Sequence, residues 1–406
     1  MPNLPNFDEC CGCAVCVDVC PRNAISLSEN RDYYYMPSVD SGKCVECGLC
    51  TKVCHIIHQE EVKRNSIGTP FAAWSTNKDL IENSASGGIF AQIALDFLHN
   101  DGHIVIGAML DSDSVVRHVE ISNVDDLHKI QNSKYQQSNT VGIYRLVKRR
   151  LKEGRFVLFS GVPCQVAGLY SYLKYNKSWL CRLYTTEVIC HGVPTNYLHR
   201  VGLKIEHASR ILKYRTKSEG WLRGNRLVYE YADKTIKEKQ SRREDFLFRS
   251  YLSFSFSRKN CYACKYARIE RVADLTLGDF WGVNTNKIYN YNGVSLVTVN
   301  SEKGEFLFKK NSHINSIQIS WKDCLPYNQN LYMPTNKYIY IGSGYVHIFK
   351  KLPLIIQKFI FQNGFSGRVL NKAYLTTFSL IYKYSSYKKE KLMISECRKT
   401  LNKVQI

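Results

Sequence analysis

No run of about 18 apolar residues occurs in this 406-residue chain, so no segment has the length to cross a bilayer as a helix. The N-terminus MPNLPNFDEC lacks the basic-then-apolar start of a secretory leader. There is no low-complexity tract. Acidic residues are scarce, 35 against 56 Lys+Arg, for a net charge of +21. From these absences neither a transmembrane bundle nor a secreted disulfide scaffold is expected. Sixteen cysteines in a chain without a leader point to metal ligands in a reducing cytosol, and a cytoplasmic location is expected.

Nine of those cysteines fall within the first 54 residues. Cys10, Cys13, Cys16 and Cys20 are spaced C-x2-C-x2-C-x3-C, followed by Pro21. Cys44, Cys47, Cys50 and Cys54 repeat the spacing 34 residues on, with His55 in the place of the proline. A cubane needs four converging thiolates, three from a tight loop and the fourth from elsewhere. In two-cluster ferredoxins the fourth cysteine of each run serves the other cluster. The expected sets are therefore Cys10, Cys13, Cys16 and Cys54 for one 4Fe–4S cluster, and Cys44, Cys47, Cys50 and Cys20 for the second. Structural zinc uses two pairs across a longer loop and does not call for this run twice. His55 is expected to change only the turn. Cys11 is expected to be a spare, inert thiol.

Charge is unevenly spread. Residues 1–60 hold four basic and eight acidic residues, whereas residues 346–406 hold twelve basic and two acidic. The acidic piece can dock on a basic body. The stretch Phe349–Phe361 sets Leu352, Ile355, Ile356, Phe359 and Ile360 on one side of a helix, flanked by Lys350, Lys351 and Lys358. Two destinations are open for that side: an anionic membrane at the inner face, or the body's own core. A nucleic-acid site would need a basic stripe with interleaved aromatics. Lys213–Arg226 is only a loose version, and no nucleic-acid partner is expected.

Residues 61–70 are polar and end in Gly68 and Pro70, which predicts a linker. An α/β pattern follows. Short apolar strands are predicted at Phe71–Trp74, Ile104–Leu110, Arg155–Ser160 and Leu183–Ile189, and further ones at Asp274–Gly278 and Gly293–Asn300. Helices between them carry Phe90, Ile93, Ala94, Phe97 and Leu98, then Tyr144, Val147 and Leu151, then Val166, Leu169 and Leu173. Asn123–Asp126 has a helix-start composition. Residues 205–260 are polar and basic, suiting a lid or insertion.

Two small-residue turns, Ser84–Gly88 and Ser160–Cys164, open helices. Free N–H groups and partial positive charge there suit a phosphorylated cofactor. Neither has the Walker or Rossmann fingerprint, and each could be an ordinary cap. Cys164 and Cys190 lie past the C-terminal ends of predicted strands, where a parallel sheet forms its ligand crevice. With Cys261 and Cys264 they could hold a third cluster. The alternatives are small buried thiols and a redox-active or zinc-binding C-x-x-C. Cys181, Cys324 and Cys397 look structural. His191, Lys134 and Asp279 are the candidate acid–base groups; Asp279 could equally cap its turn. Trp281 could pack on a ring cofactor or fill the core.

The chain resembles the coenzyme F420 hydrogenase/dehydrogenase beta-subunit family with a fused dicluster ferredoxin. The shared motifs run in order from Cys10 to about Asn300. They include Asn83–Phe90, Gly107-Ala108, Arg117–Val119, Ser133–Ser138 and Phe159–Gln165. Cys190–Pro194, Gly220-Trp221, Cys261–Cys264, Gly278–Gly282 and Gly293–Val297 complete them. The resemblance implies FAD in the α/β domain, a 4Fe–4S cluster beside it, and hydride exchange with a deazaflavin or another organic substrate. It places the flavin among Ser86, Gly87 and Gly88, then Lys134, Tyr135, Gln137 and Ser138, then Ser160, Gly161 and Pro163. Electrons would come from a soluble ferredoxin or other redox carrier, or leave toward it; a subunit that only relays electrons to a partner enzyme is the rival reading. Family members also occur beside polysaccharide-synthesis genes, and the basic tail leans toward that group.

The expected architecture is an α+β ferredoxin-like dicluster domain over residues 1–60, followed by an α/β flavin-binding domain. The α/β domain is expected over 71–310, with a basic, mostly helical extension over 311–406.

Overall fold

A computed structural model describes residues 1–222, 226–240, 245–254, 256–284, 287–335, 350–360 and 395–404. The cysteine-rich start forms helix α1 (Val15–Val19), strands β1 (Ile25–Glu29) and β2 (Tyr35–Val39), and helix α2 (Leu49–Lys52). β1 and β2 pair antiparallel, Ile25 opposite Val39. The sequence repeat is also a backbone repeat. Ala14 before α1 and Gly48 before α2 are both left-handed, at φ 63° and 69°. Each turn swings a Cys-x2-Cys pair back toward one point.

The body is built on one eight-stranded sheet. In chain order its strands are β3 (Thr69–Ser75), β4 (Ile104–Leu110), β5 (Val116–Ile121), β6 (Val157–Gly161) and β7 (Leu183–Val188). Past the insertion come β11 (Leu275–Asp279), β12 (Ser295–Val299) and β13 (Ile314–Gln318). Their spatial order is β13-β3-β12-β11-β7-β6-β4-β5. The centre, β4, β6, β7 and β11, is parallel; β5 on one flank and β12, β3 and β13 on the other pair antiparallel. Because β13 joins β3, the sheet continues past residue 310, where the apolar strand pattern fades. β13 is an edge strand exposed along most of its length, so it carries little of that pattern.

Helices cover both faces, as a parallel centre requires. Short α3 (Lys78–Glu82) leads into α4 (Ile89–Leu98). The helices α5 (Leu127–Ile130), α6 (Ile143–Lys152), α7 (Pro163–Tyr172) and α8 (Lys177–Leu180) follow. Period-two alternation sorts β6: Val157 and Phe159 face α6 and α7, whereas Leu158 faces α4. All three are fully buried, each contributing about 1.5–3 kcal/mol.

The polar stretch after residue 195 is an inserted lobe. It contains α9 (Asn196–Glu206), β8 (Arg210–Thr216), β9 (Arg226–Glu230), β10 (Ile236–Gln240) and α10 (Phe246–Leu252), with the three strands antiparallel. Helices α11 (Glu302–Lys309) and α12 (Trp321–Cys324) return to the body.

The segment expected to be a linker is pinned down. Asn65 donates from its backbone to Arg271 O at 2.8 Å and from its side chain to Ala273 O at 2.9 Å. Leu352 and Ile356, beside and within the helix Leu354–Ile360, pack on the inserted lobe, and Tyr197 donates to the buried Gln357 at 3.1 Å. Leu352 and Ile356 of the amphipathic side meet the protein itself, whereas Ile355, expected on the same side, is exposed. The side chains of Phe359 and Ile360, and residues 361–394, lie outside the described residues. Residues 395–404 form a helix whose Cys397, Leu401 and Val404 pack beside the Trp321–Cys324 cluster. Among the described residues no helix is long and apolar enough to cross a membrane.

Candidate redox site

The two cysteine runs interleave. Cys20 joins Cys44, Cys47 and Cys50 around one small cavity. Cys10, Cys16 and Cys54 lie close enough that each thiol raises another's pKa, and Cys13 is affected by Cys16. Burial is the largest cause of the rise at Cys16 and Cys54, with Cys54 at about 11. Metal binding would displace those protons. Gly12 N donates to Cys10 Sγ at 3.3 Å and Ala24 N to Cys20 Sγ at 3.3 Å, the contacts that settle cluster-bound thiolates.

A larger cavity of about 680 Å³ opens where the parallel strands end. It is lined by Cys164, Cys190, Cys261 and Cys264, joined by Cys11 and Cys13 from the N-terminal domain. Burial pushes the Cys190 thiol up to about 12 and also raises Cys261 and Cys264. Gly192 N reaches Cys190 Sγ and Tyr266 N reaches Cys264 Sγ, each at 3.4 Å. Four thiols from the first turn of α7, the segment after β7 and the 261–264 turn, two of them with N–H donors, suit a cubane. Cys11 is buried among these thiols: contact with Cys13 and Cys164 draws its own pKa down, and its sulfur lies 3.8 Å from His55 Nε2.

The same cavity gathers the turn residues. Ser86, Gly88, Lys134, Tyr135, Gln137, Ser138, Ser160, Gly161, Pro163, His191, Asp279 and Trp281 all line the cavity; Gly87 does not. A Cβ on Gly87 would stand 2.5 Å from Ala73 O and 2.9 Å from Ser295 N. That glycine lets the loop press on β3 and β12 and leaves the cavity to its neighbours. The volume is in the range of cofactor sites, and two helices of ten residues, α4 and α7, begin at its wall.

Several residues are committed to partners. Gln137 donates to the carbonyls of Cys11 and Gly12, both at 3.1 Å, so its amide holds the cluster loop. Tyr135 packs against Tyr214, Phe248 and Tyr251. Both carboxylate oxygens of Asp279 are taken, by Trp221 Nε1 at 2.9 Å and Arg215 Nη1 at 2.6 Å. Asp279 therefore anchors the wall where Trp281 stacks on Trp221, ring centres 5.7 Å apart. Burial lowers Lys134 to about 7 and lowers His191 as well, with Asp279 opposing the second shift.

Sequence reasoning missed His118 and Arg215. His118 joins the two proposed flavin segments: Nδ1 lies 2.6 Å from Ser138 Oγ and Nε2 2.9 Å from Ser160 O. A carbonyl only accepts, so Nε2 carries the proton and Ser138 donates to Nδ1. Alternation in Val116–Ile121 was the available signal for His118, since it places that side chain inward. Arg215 sits in a basic strand with no pattern of its own.

Residues 9–56 match the 4Fe–4S dicluster domain. The chain is therefore an iron–sulfur protein with a ferredoxin-type start. Residues 154–322 match the C terminus of the coenzyme F420 hydrogenase/dehydrogenase beta subunit.

The methylamine utilization ferredoxin-type protein MauM of Methylophilus methylotrophus is 47% identical over 47 residues, 10% of this chain and 21% of that protein. An uncharacterized protein in the rpl9-rpl11 intergenic region of Porphyra purpurea is 35% identical over 52 residues, 12% of this chain and 65% of that protein. The chain thus spans less than two thirds of either relative. A solved structure of the F420-reducing [NiFe] hydrogenase complex from Methanosarcina barkeri aligns with a TM-score of 0.44 at 15% identity, covering 64% of this chain and 84% of that one.

Proposed function

We propose that the protein is an iron–sulfur flavoprotein oxidoreductase. It would pass electrons between a ferredoxin-type carrier and an organic substrate or deazaflavin-like carrier. One observation carries this reading: a single cavity is lined both by six cysteines and by three segments suited to a dinucleotide. FAD, when bound, supplies the exchange between single electrons and hydride.

The chain's own residues have separable tasks. Arg258, fully buried, donates to Cys10 O at 2.6 Å and Tyr35 O at 2.8 Å, and with Gln137 holds the N-terminal cluster loop at the cavity. Cys164, Cys190, Cys261 and Cys264 would hold the third cluster. Lys134 Nζ and the His191 ring are the groups placed to hold or release a proton at the cavity wall.

The test is anaerobic purification after iron–sulfide reconstitution. About 12 iron atoms per chain are expected for three clusters, with a flavin spectrum after FAD addition and flavin reduction by reduced ferredoxin. Lys134→Met should lower flavin content. Full iron with no flavin uptake would reject this reading.

The matched family is that of a subunit, which favours a second reading, a relay to a partner enzyme. Substrate reduction by the isolated chain separates the two.

A further inference from the structure

His55 was expected to alter only a turn, yet it is 1% exposed and lies between two metal-binding loops. Its Nε2 is 3.3 Å from Cys13 Sγ and 3.8 Å from Cys11 Sγ. Its Nδ1 is hydrogen-bonded to Tyr266 Oη, and Gln59 Nε2 donates to that same oxygen at 2.7 Å. Tyr266 is two residues past Cys264 and bonds Cys264 Sγ through its own N–H.

The donors can be assigned. An iron-bound thiolate only accepts, so His55 Nε2 must carry the proton. The neutral ring then accepts at Nδ1, and Tyr266 O–H must be its donor. The Tyr266 oxygen takes the Gln59 N–H on a remaining lone pair. One line of donors thus runs from Gln59 through Tyr266 and His55 to the Cys13 sulfur. A proline at position 55 could make none of these contacts.

We propose that His55 is a positioning residue that raises the reduction potential of the cluster held by Cys13. With Tyr266 it forms the hydrogen-bonded bridge from that cluster to the Cys261–Cys264 loop. The inference rests on the electron-transfer reading above. A hydrogen bond to a cluster sulfur favours the more negative, reduced state, and burial strengthens it. Outer-shell partners of metal ligands act in this way.

The experiment is an EPR-monitored redox titration of the full chain, reconstituted with iron and sulfide, as wild type, His55→Ala, His55→Gln and Tyr266→Phe. In His55→Ala one N-terminal cluster should become harder to reduce, its equilibrium constant falling about tenfold, or ~59 mV for one electron. The cluster of Cys20, Cys44, Cys47 and Cys50 should not move, and iron content should hold. His55→Gln keeps an N–H and should recover part of the shift. Tyr266→Phe should shift the same cluster by less, because nothing then fixes the ring tautomer.

Unchanged potentials at full iron content overturn the inference, and so does an equal shift of both clusters. Cys11, Cys13 and His55 also converge within 4.8 Å, as a mononuclear site would. Stoichiometric zinc that disappears in the His55 variants would therefore overturn it too. A wild-type protein that takes up no N-terminal iron instead overturns the electron-transfer reading itself.

Discussion

Asp18 caps a helix that it does not belong to: its carboxylate accepts from Gly142 N at 2.6 Å and Tyr144 N at 2.9 Å. Gly142 stands at the N-cap of α6, at φ 84°, and has no side chain to do this. The N-terminal domain supplies the missing cap and places a negative charge at a helix N-terminus. Asp18→Ala should cost about 0.5–2 kcal/mol and loosen the docking of the two domains. Urea midpoints and protease nicking between residues 61 and 70 measure both. A variant as stable and as resistant as wild type would remove Asp18 from the interface.

Glu187 and Arg271 do similar work beneath the second cysteine set. They form an ion pair in which the side chains are 0% and 2% exposed. Arg271 also donates to Tyr266 O at 3.2 Å and Arg268 O at 3.1 Å, tying the 261–264 loop to the strand that leads to Cys190. Arg271→Ala leaves a carboxylate buried without its partner. It should cost about 3–5 kcal/mol and lower reconstituted iron by about four atoms, one cubane. Iron analysis against the wild type checks the second effect; full iron in a folded variant counts against the loop-tying role.

Crossed ligation gives an asymmetric expectation for the N-terminal pair. Cys54→Ala should damage the cluster of Cys10, Cys13 and Cys16, whereas Cys20→Ala should damage that of Cys44, Cys47 and Cys50. EPR of the reduced variants distinguishes the two signals. Loss of the Cys44–Cys50 signal in Cys54→Ala would reverse the assignment.

The features legible in the sequence were those with period or repeat. Val157, Leu158 and Phe159 announced a strand, and Tyr144, Val147 and Leu151 announced a helix face; all six are fully buried. The cysteine spacing announced the cluster loops. Long-range partnerships were not legible. Gln137 lay in a stretch expected to bind flavin, but its amide is used by a loop more than a hundred residues earlier. Gly87 looked like a phosphate glycine, and only the close approach of β3 and β12 explains it. His55 carried a signal, the missing proline, but its partner Tyr266 is 211 residues away.

His118 makes the last prediction, a pH dependence. Burial lowers its pKa from 6.5 to about 4, with Lys134 adding to the shift and the Ser160 carbonyl opposing it. The ring is stacked on Phe159, centres 5.4 Å apart. In the unfolded chain the same imidazole takes up a proton near pH 6.5. Between those two values the unfolded state binds more protons, so stability rises with pH. The contribution is fully present above about pH 6.5 and is lost as pH falls toward 4. At pH 5 the loss should be about 2 kcal/mol, taking 1.36 kcal/mol per unit over 1.5 units. His199, lowered to about 3 by burial, adds a slope of the same sign. The measurement is therefore the difference between wild type and His118→Asn in unfolding free energy at pH 7.5 and pH 5. His118→Asn should be less stable at pH 7.5, where the bonds to Ser138 and Ser160 are intact in wild type, and the gap should narrow by about 2 kcal/mol at pH 5. A gap independent of pH would mean that His118 does not titrate between the folded and unfolded states, and the neutral bridge between the two turn segments would have to be abandoned.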